Sequence, residues 1–206
     1  MDPQAARTSF DGHLRRRATA EGPDGRIEYD DRVTRSLSPR GGWSGITWCR
    51  LGDLDLDLTA TAPPGTTLRP VVGQGDVDRL VAVHDEVFGG DHSPVGRALS
   101  AGLARRPPMP AAVLALAEDV PIAAGRLDFH HGTDFPSLWG GGTVAAWRGR
   151  GAFRALVAHR AAAATAAGFR YPQVDATGDS SPILQRLGFR QLGTATAYTH
   201  PGSAAG

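Results

Sequence analysis

Hydrophobic and polar positions follow two periods along this chain, and the changes between them mark the predicted elements. Two strand-like runs between Arg26 and Leu51, RIEYDDRVTRSL and WSGITWCRL, are separated by Ser38-Pro39-Arg40-Gly41-Gly42 and predict a small β appendage. The alternation DLDLDL at 53–58 puts Leu54, Leu56 and Leu58 on one face and the aspartates on the other, as in a solvated edge strand. An EF-hand loop counted from Asp53 would need glycine and glutamate where Leu58 and Pro64 stand, so calcium is rejected there. Pro63-Pro64-Gly65 stops both helix and sheet, and the main domain is expected from Thr66 onward.

Beyond that linker TLRPVV reads as a strand. Residues 76–88 carry Val77, Leu80, Val81, His84 and Val87 or Phe88 at helical spacing, with Asp76 as the expected N-cap. A second helix is expected over 94–104. AAVLALAEDVPIAAGRLDF predicts a hairpin turning at Glu118-Asp119, and SLWGGGTV a third strand after the loop HHGTDFP. The order then becomes helix (149–167), strand (171–176), short helix (181–187) and a final strand pair around 189–199. Antiparallel strands followed by alternating helix and strand give an α/β pattern with a mixed sheet.

Composition narrows the partners. At 206 residues the chain can bury one sizeable core and is short for two. All 22 basic residues are arginine, a bias expected of a GC-rich bacterial genome, and a net charge of +1 gives no reason to invoke nucleic acid or a membrane surface. Cys49 is the single cysteine, so no internal disulfide forms, and no zinc-ligand spacing surrounds it. It reads as a buried small side chain. The first 24 residues read as a solvated arm. Without an apolar h-region or a long apolar span, the expected location is the cytoplasm.

The stretch with chemical content is Gly140-Gly141-Gly142-Thr143-Val144 running through Trp147-Arg148-Gly149-Arg150-Gly151 into Ala152-Phe153-Arg154. Amides left unpaired in a helix's first turn, with the positive end of its dipole, cradle anions. Glycines 149 and 151 let backbone approach a phosphate, and Arg148, Arg150 and Arg154 add charge, which suits a diphosphate. Phe153, Leu156, Val157, Ala161 and Ala164 are the expected sheet-facing stripe of that helix. A P-loop is excluded because the chain has no lysine. A dinucleotide fingerprint fits less well, since its third glycine falls on Arg154 and an antiparallel hairpin precedes it, although Asp175 stands where a ribose-binding carboxylate belongs.

Arg148-Gly149-Arg150-Gly151-Ala152 resembles the acetyl-CoA signature of the GNAT acetyltransferase superfamily, [Q/R]-x-x-G-x-[G/A]. Ser181-Pro182-Ile183-Leu184-Gln185-Arg186-Leu187-Gly188-Phe189 resembles that family's later segment ending in L-G-F. The resemblance covers about 66–199 and implies a GNAT fold, α/β (α+β), with a mixed, mostly antiparallel twisted sheet flanked by helices. By position it assigns Gly141, Gly142, Thr143 and Val144 to the pantetheine arm of acetyl-CoA, and the amides from Gly149 through Phe153 to Arg154 to its pyrophosphate. It implies transfer of an acetyl group to a primary amine of a small molecule, peptide or protein, by direct attack in a ternary complex and without a metal.

The sequence departs from the family at Phe153, where the signature ends on a small residue, and at Gly178, Leu184 and Gln173, where members keep an asparagine, a tyrosine acid and a glutamate base. Candidates to replace the acid and base are Asp128 as base, with Ser180 or Tyr198 serving the thiolate. His84 is expected as a hydrogen-bonded core histidine, and His130-His131 as an exposed loop pair. Because the usual acid and base are missing, a binding protein that senses acyl-CoA without turnover remains the alternative, and a homodimer stays open.

Overall fold

The computed structural model describes residues 59–104 and 111–191, with the backbone of three further strands at 26–29, 34–37 and 46–49. The DLDLDL run, the N-terminal arm and Tyr198 lie outside these residues, as does the side chain of Cys49. Contacts divide the chain into two units, Met1–Leu54 with Gln173–Gly206, and Asp55–Pro172.

In the first unit, β1 (Arg26–Tyr29) and β2 (Thr34–Leu37) form an antiparallel hairpin. The predicted run RIEYDDRVTRSL thus holds two strands, Arg26–Tyr29 and Thr34–Leu37, rather than one. β3 (Ile46–Cys49) pairs antiparallel with β8 (Gln173–Ala176), so the N-terminal appendage takes in a strand from the far end of the chain. The short α4 (Ser181–Arg186) follows β8.

The second unit is an antiparallel sheet of β4 (Thr66–Pro70), β5 (Ala111–Ala117), β6 (Val120–Asp128) and β7 (Ser137–Thr143), in the order β4-β5-β6-β7. Helices α1 (Gln74–Phe88), α2 (Ser93–Leu103) and α3 (Ala152–Ala166) cover it, with a 3₁₀ turn at Ala145–Trp147 before α3. From Ala112 to Ala117 every β5 side chain is buried, because helices lie on both faces of the sheet; hence AAVLALA is continuously apolar rather than alternating. The β5–β6 hairpin turns on Glu118 (φ 48°) and Asp119 (φ 74°), both left-handed, as a two-residue hairpin loop requires. Asp119 then holds Arg79 of α1 through two hydrogen bonds of 3.0 and 2.9 Å.

Asp76 is not the N-cap of α1, which starts two residues earlier behind Gly73. It sits in the first turn, where its carboxylate accepts from Arg69 (2.7 Å) and from the Val72 amide (3.2 Å) and so ties β4 to α1. α3 also starts later than the periodicity suggested, because Gly149 (φ 75°) and Gly151 (φ 96°) are left-handed and keep 149–151 as a turn.

Candidate functional site

The register between β6 and β7 shifts at one place. Ala124 pairs with Gly142 and Arg126 with Trp139, so the single residue Gly125 faces both Gly140 and Gly141. This is a bulge, and Gly140 holds the left-handed conformation (φ 54°) that such a residue commonly adopts. Around it the three glycines of β7 explain themselves by close approach. A Cβ on Gly140 would lie 2.6 Å from His84 Cε1, one on Gly142 2.8 Å from Val87 Cγ1, and one on Gly141 2.9 Å from Arg160 Nη2. Gly140 and Gly142 therefore receive α1, and Gly141 receives α3.

Two buried polar side chains meet the bulge. Nε2–H of His84 donates to the Gly140 carbonyl at 2.8 Å. Burial pushes this imidazole down to about 4, so it is neutral at pH 7, which agrees with the expected core histidine. Nη1 of Arg160 donates to the carbonyls of Arg126 and Trp139, each at 3.1 Å, and its Nε to Leu156 O at 3.0 Å. Burial lowers this guanidinium to about 10, which leaves it charged with backbone carbonyls as its partners. The sequence reading missed Arg160; the visible signal was an arginine one residue away from Ala161 on the apolar stripe. Phe153, assigned to that stripe, is half-buried and does face the sheet, its ring covering Gly141 of β7.

After β7 the chain runs into the glycine turn. Among the described residues no protein oxygen accepts from the amides of Gly149 to Arg154, and the first bond into α3 is Ala155 N–H to Gly151 O at 3.0 Å. Nothing lies within 4 Å of a Cβ built on Gly149. Arg148, Arg150 and Arg154 are exposed around the turn, with Arg150 lying 4.8 Å from the Trp147 ring and Arg148 Nε donating to Thr143 O at 3.2 Å. Thr143 Oγ1 is buried and has no protein partner. Free amides, left-handed glycines and three cations fit a diphosphate, and the orphaned hydroxyl fits a polar chain lying along the end of β7. Of the backbone assigned to the pantetheine arm, Val144 N–H is already given to Ile122 O (2.9 Å) and Thr143 O to Arg148.

The sequence-nominated proton carriers are placed as follows. Asp128 closes β6, and both its oxygens accept from Arg126, at 2.8 and 3.2 Å. Ser180 precedes α4 and its hydroxyl is used in a turn with Thr177, accepting from the Thr177 amide at 3.1 Å. His130 is half-buried rather than exposed, and its Nε2 meets the buried Ser137 hydroxyl at 2.7 Å. Among the described residues no group of three or more His, Cys, Asp or Glu side chains is arranged to hold a metal, and no helix is long and apolar enough to cross a membrane.

This architecture is that of the GCN5-related N-acetyltransferases. A structure from Kribbella flavida in that class matches with a TM-score of 0.60 at 18% identity, over 100% of this chain and 79% of the other. A second, from Sphaerobacter thermophilus, matches with a TM-score of 0.58 at 19% identity over 77% of this chain and 51% of that one. AAC(6')-Iy, in complex with the bisubstrate analog CoA-S-monomethyl-acetylneamine, matches with a TM-score of 0.55 at 19% identity, over 65% of this chain and 96% of that one. The chain spans only 44% of a matching Pyrococcus horikoshii structure (TM-score 0.50). No protein-family model and no curated protein sequence matches the chain. Likeness at this identity establishes the GNAT fold.

Proposed function

We propose that this chain is an N-acetyltransferase that takes its acetyl group from acetyl-CoA and gives it to a primary amine in a ternary complex. The observation that carries the proposal is the row of unpaired amides from Gly149 to Arg154, opened by left-handed glycines and ringed by three arginines, directly after β7. Those amides would take the diphosphate, and Gly141, Gly142 and Thr143 would guide the pantetheine arm toward the bulge. The protein's contribution to rate is then positioning of amine against thioester and exclusion of water. The binding of a CoA analog by AAC(6')-Iy supports this reading of a shared fold.

One observation favours a second reading, acyl-CoA binding without turnover: Asp128 and Ser180 are both committed to protein partners. Asp128 with Arg126 suits a positioning pair better than a free base. Thiol release from acetyl-CoA with a panel of primary amines, beside acetyl-CoA binding measured by thermal shift, decides between the two. Release with any amine supports the transferase; binding without release across the panel supports the sensor. Gly151→Val should abolish binding while the protein stays folded, and retained affinity would displace the site from this turn.

A further inference from the structure

Between α1 and α2 the chain reverses on Gly89 (φ 71°) and Gly90 (φ 81°) and brings His92 back over Asp85. Oδ1 of Asp85 accepts both the His92 amide at 2.8 Å and the His92 ring at Nδ1, 2.9 Å away. A carboxylate only accepts, so the shared hydrogen of the neutral ring sits on Nδ1 and the lone pair on Nε2. Among the described residues that second nitrogen has no hydrogen-bond partner, and the side chain keeps 25% of its surface exposed. Closing the turn would need only the amide bond; the ring bond additionally fixes the tautomer and the direction of Nε2.

The ring also lies beside the glycine strand. His92 stands edge-on to His84, centroids 5.6 Å apart, and His84 holds the Gly140 carbonyl at the bulge. Phe88 lies 5.9 Å from His92, half-exposed, with its Cζ 3.0 Å from the place a Cβ on Gly142 would take. One side chain therefore separates the imidazole from the β7 backbone that the acetyltransferase reading gives to the thioester arm. The titratable groups facing it are Asp85 and His84 of α1 and Asp91 of the same turn, while β7 presents glycine.

We propose that His92, oriented by Asp85, is the general base of this site, a proposal that rests on the acetyltransferase reading. Nε2 takes a proton from the substrate ammonium. The amine nitrogen's lone pair then forms the N–C bond to the thioester carbonyl carbon. The C–S bond breaks with its electron pair on sulfur, and the proton still held by the new amide nitrogen passes to the thiolate. His92 returns its proton to solvent.

The test measures thiol release from acetyl-CoA with benzylamine, putrescine, glycinamide and a lysine-bearing peptide, across pH, for the intact chain and for His92→Ala, His92→Gln and Asp85→Asn. Turnover should fall about 100-fold or more in both His92 variants, with acetyl-CoA affinity within about twofold of the parent. The acid limb of the pH profile should disappear, and added imidazole should restore part of the rate to His92→Ala. Asp85→Asn should show a smaller loss. Unchanged turnover, or a loss of rate matched by an equal loss of acetyl-CoA affinity in both His92 variants, would overturn the assignment. No thiol release by the parent with any amine overturns it together with the transferase reading, and acetyl-CoA binding by that same parent separates this failure from a misplaced cofactor pocket.

Discussion

Nη1 of Arg160 donates to the Trp139 carbonyl at 3.1 Å, and the next carbonyl along β7, that of Gly140, is held from another helix by His84 at 2.8 Å. Two helices thus reach the same bulge through one polar side chain each. The sheet spends ladder regularity there, and buried donors from α1 and α3 restore the hydrogen bonding. A strand edge shaped in this way should respond sharply to changes in either donor.

Arg160→Leu keeps the aliphatic bulk but leaves the Arg126 and Trp139 carbonyls without their guanidinium donor. Loss of buried partners predicts a destabilisation of about 2–4 kcal/mol. Urea unfolding of the two proteins measures it, and equal midpoints would show that the guanidinium contributes nothing net.

Stability should fall with pH through His84. Its folded value of about 4 lies below the 6.5 of a free imidazole, so protonation favours the unfolded chain. The contribution is complete above about 6.5 and is lost as pH drops from there toward 4, for at most about 3 kcal/mol. Comparing His84→Gln with the parent in urea at pH 7 and pH 4.5 checks the sign: the variant should be weaker at pH 7 and lose less on acidification.

Gly140→Ala combines a left-handed backbone with a methyl 2.6 Å from the His84 ring. Backbone strain and overpacking together predict a cost of about 2 kcal/mol or more. Thermal denaturation reads it, with Gly178→Ala, where the added methyl meets open space, as the control.

Arg154→Glu reverses an exposed charge beside the free amides of the α3 turn. Acetyl-CoA affinity should drop about tenfold or more, the worth of one charge-assisted hydrogen bond, with the unfolding midpoint nearly unchanged. Calorimetric titration decides it; undiminished affinity would detach Arg154 from the diphosphate.

Local codes were legible in the sequence. Periodicity placed α1 and α2 within a residue or two, Glu118-Asp119 marked the hairpin turn, and Gly149-x-Gly151 marked the turn before α3, because each depends on neighbours within a few residues. Asp76 was misplaced as a cap because Arg69 and Val72, which engage its carboxylate, come together only when β4 docks on α1.

The sequence by itself determined the order of the helices and strands from β4 to α4 and the left-handed glycine turn before α3, since both follow from periodicity and backbone geometry within a few residues. Tertiary structure alone decided the bulge, the burial of Arg160, and the grip of His84 on Gly140 across 56 residues of chain. Strand register and helix docking set these pairings, and both arise from contacts between distant segments rather than from any period along the chain.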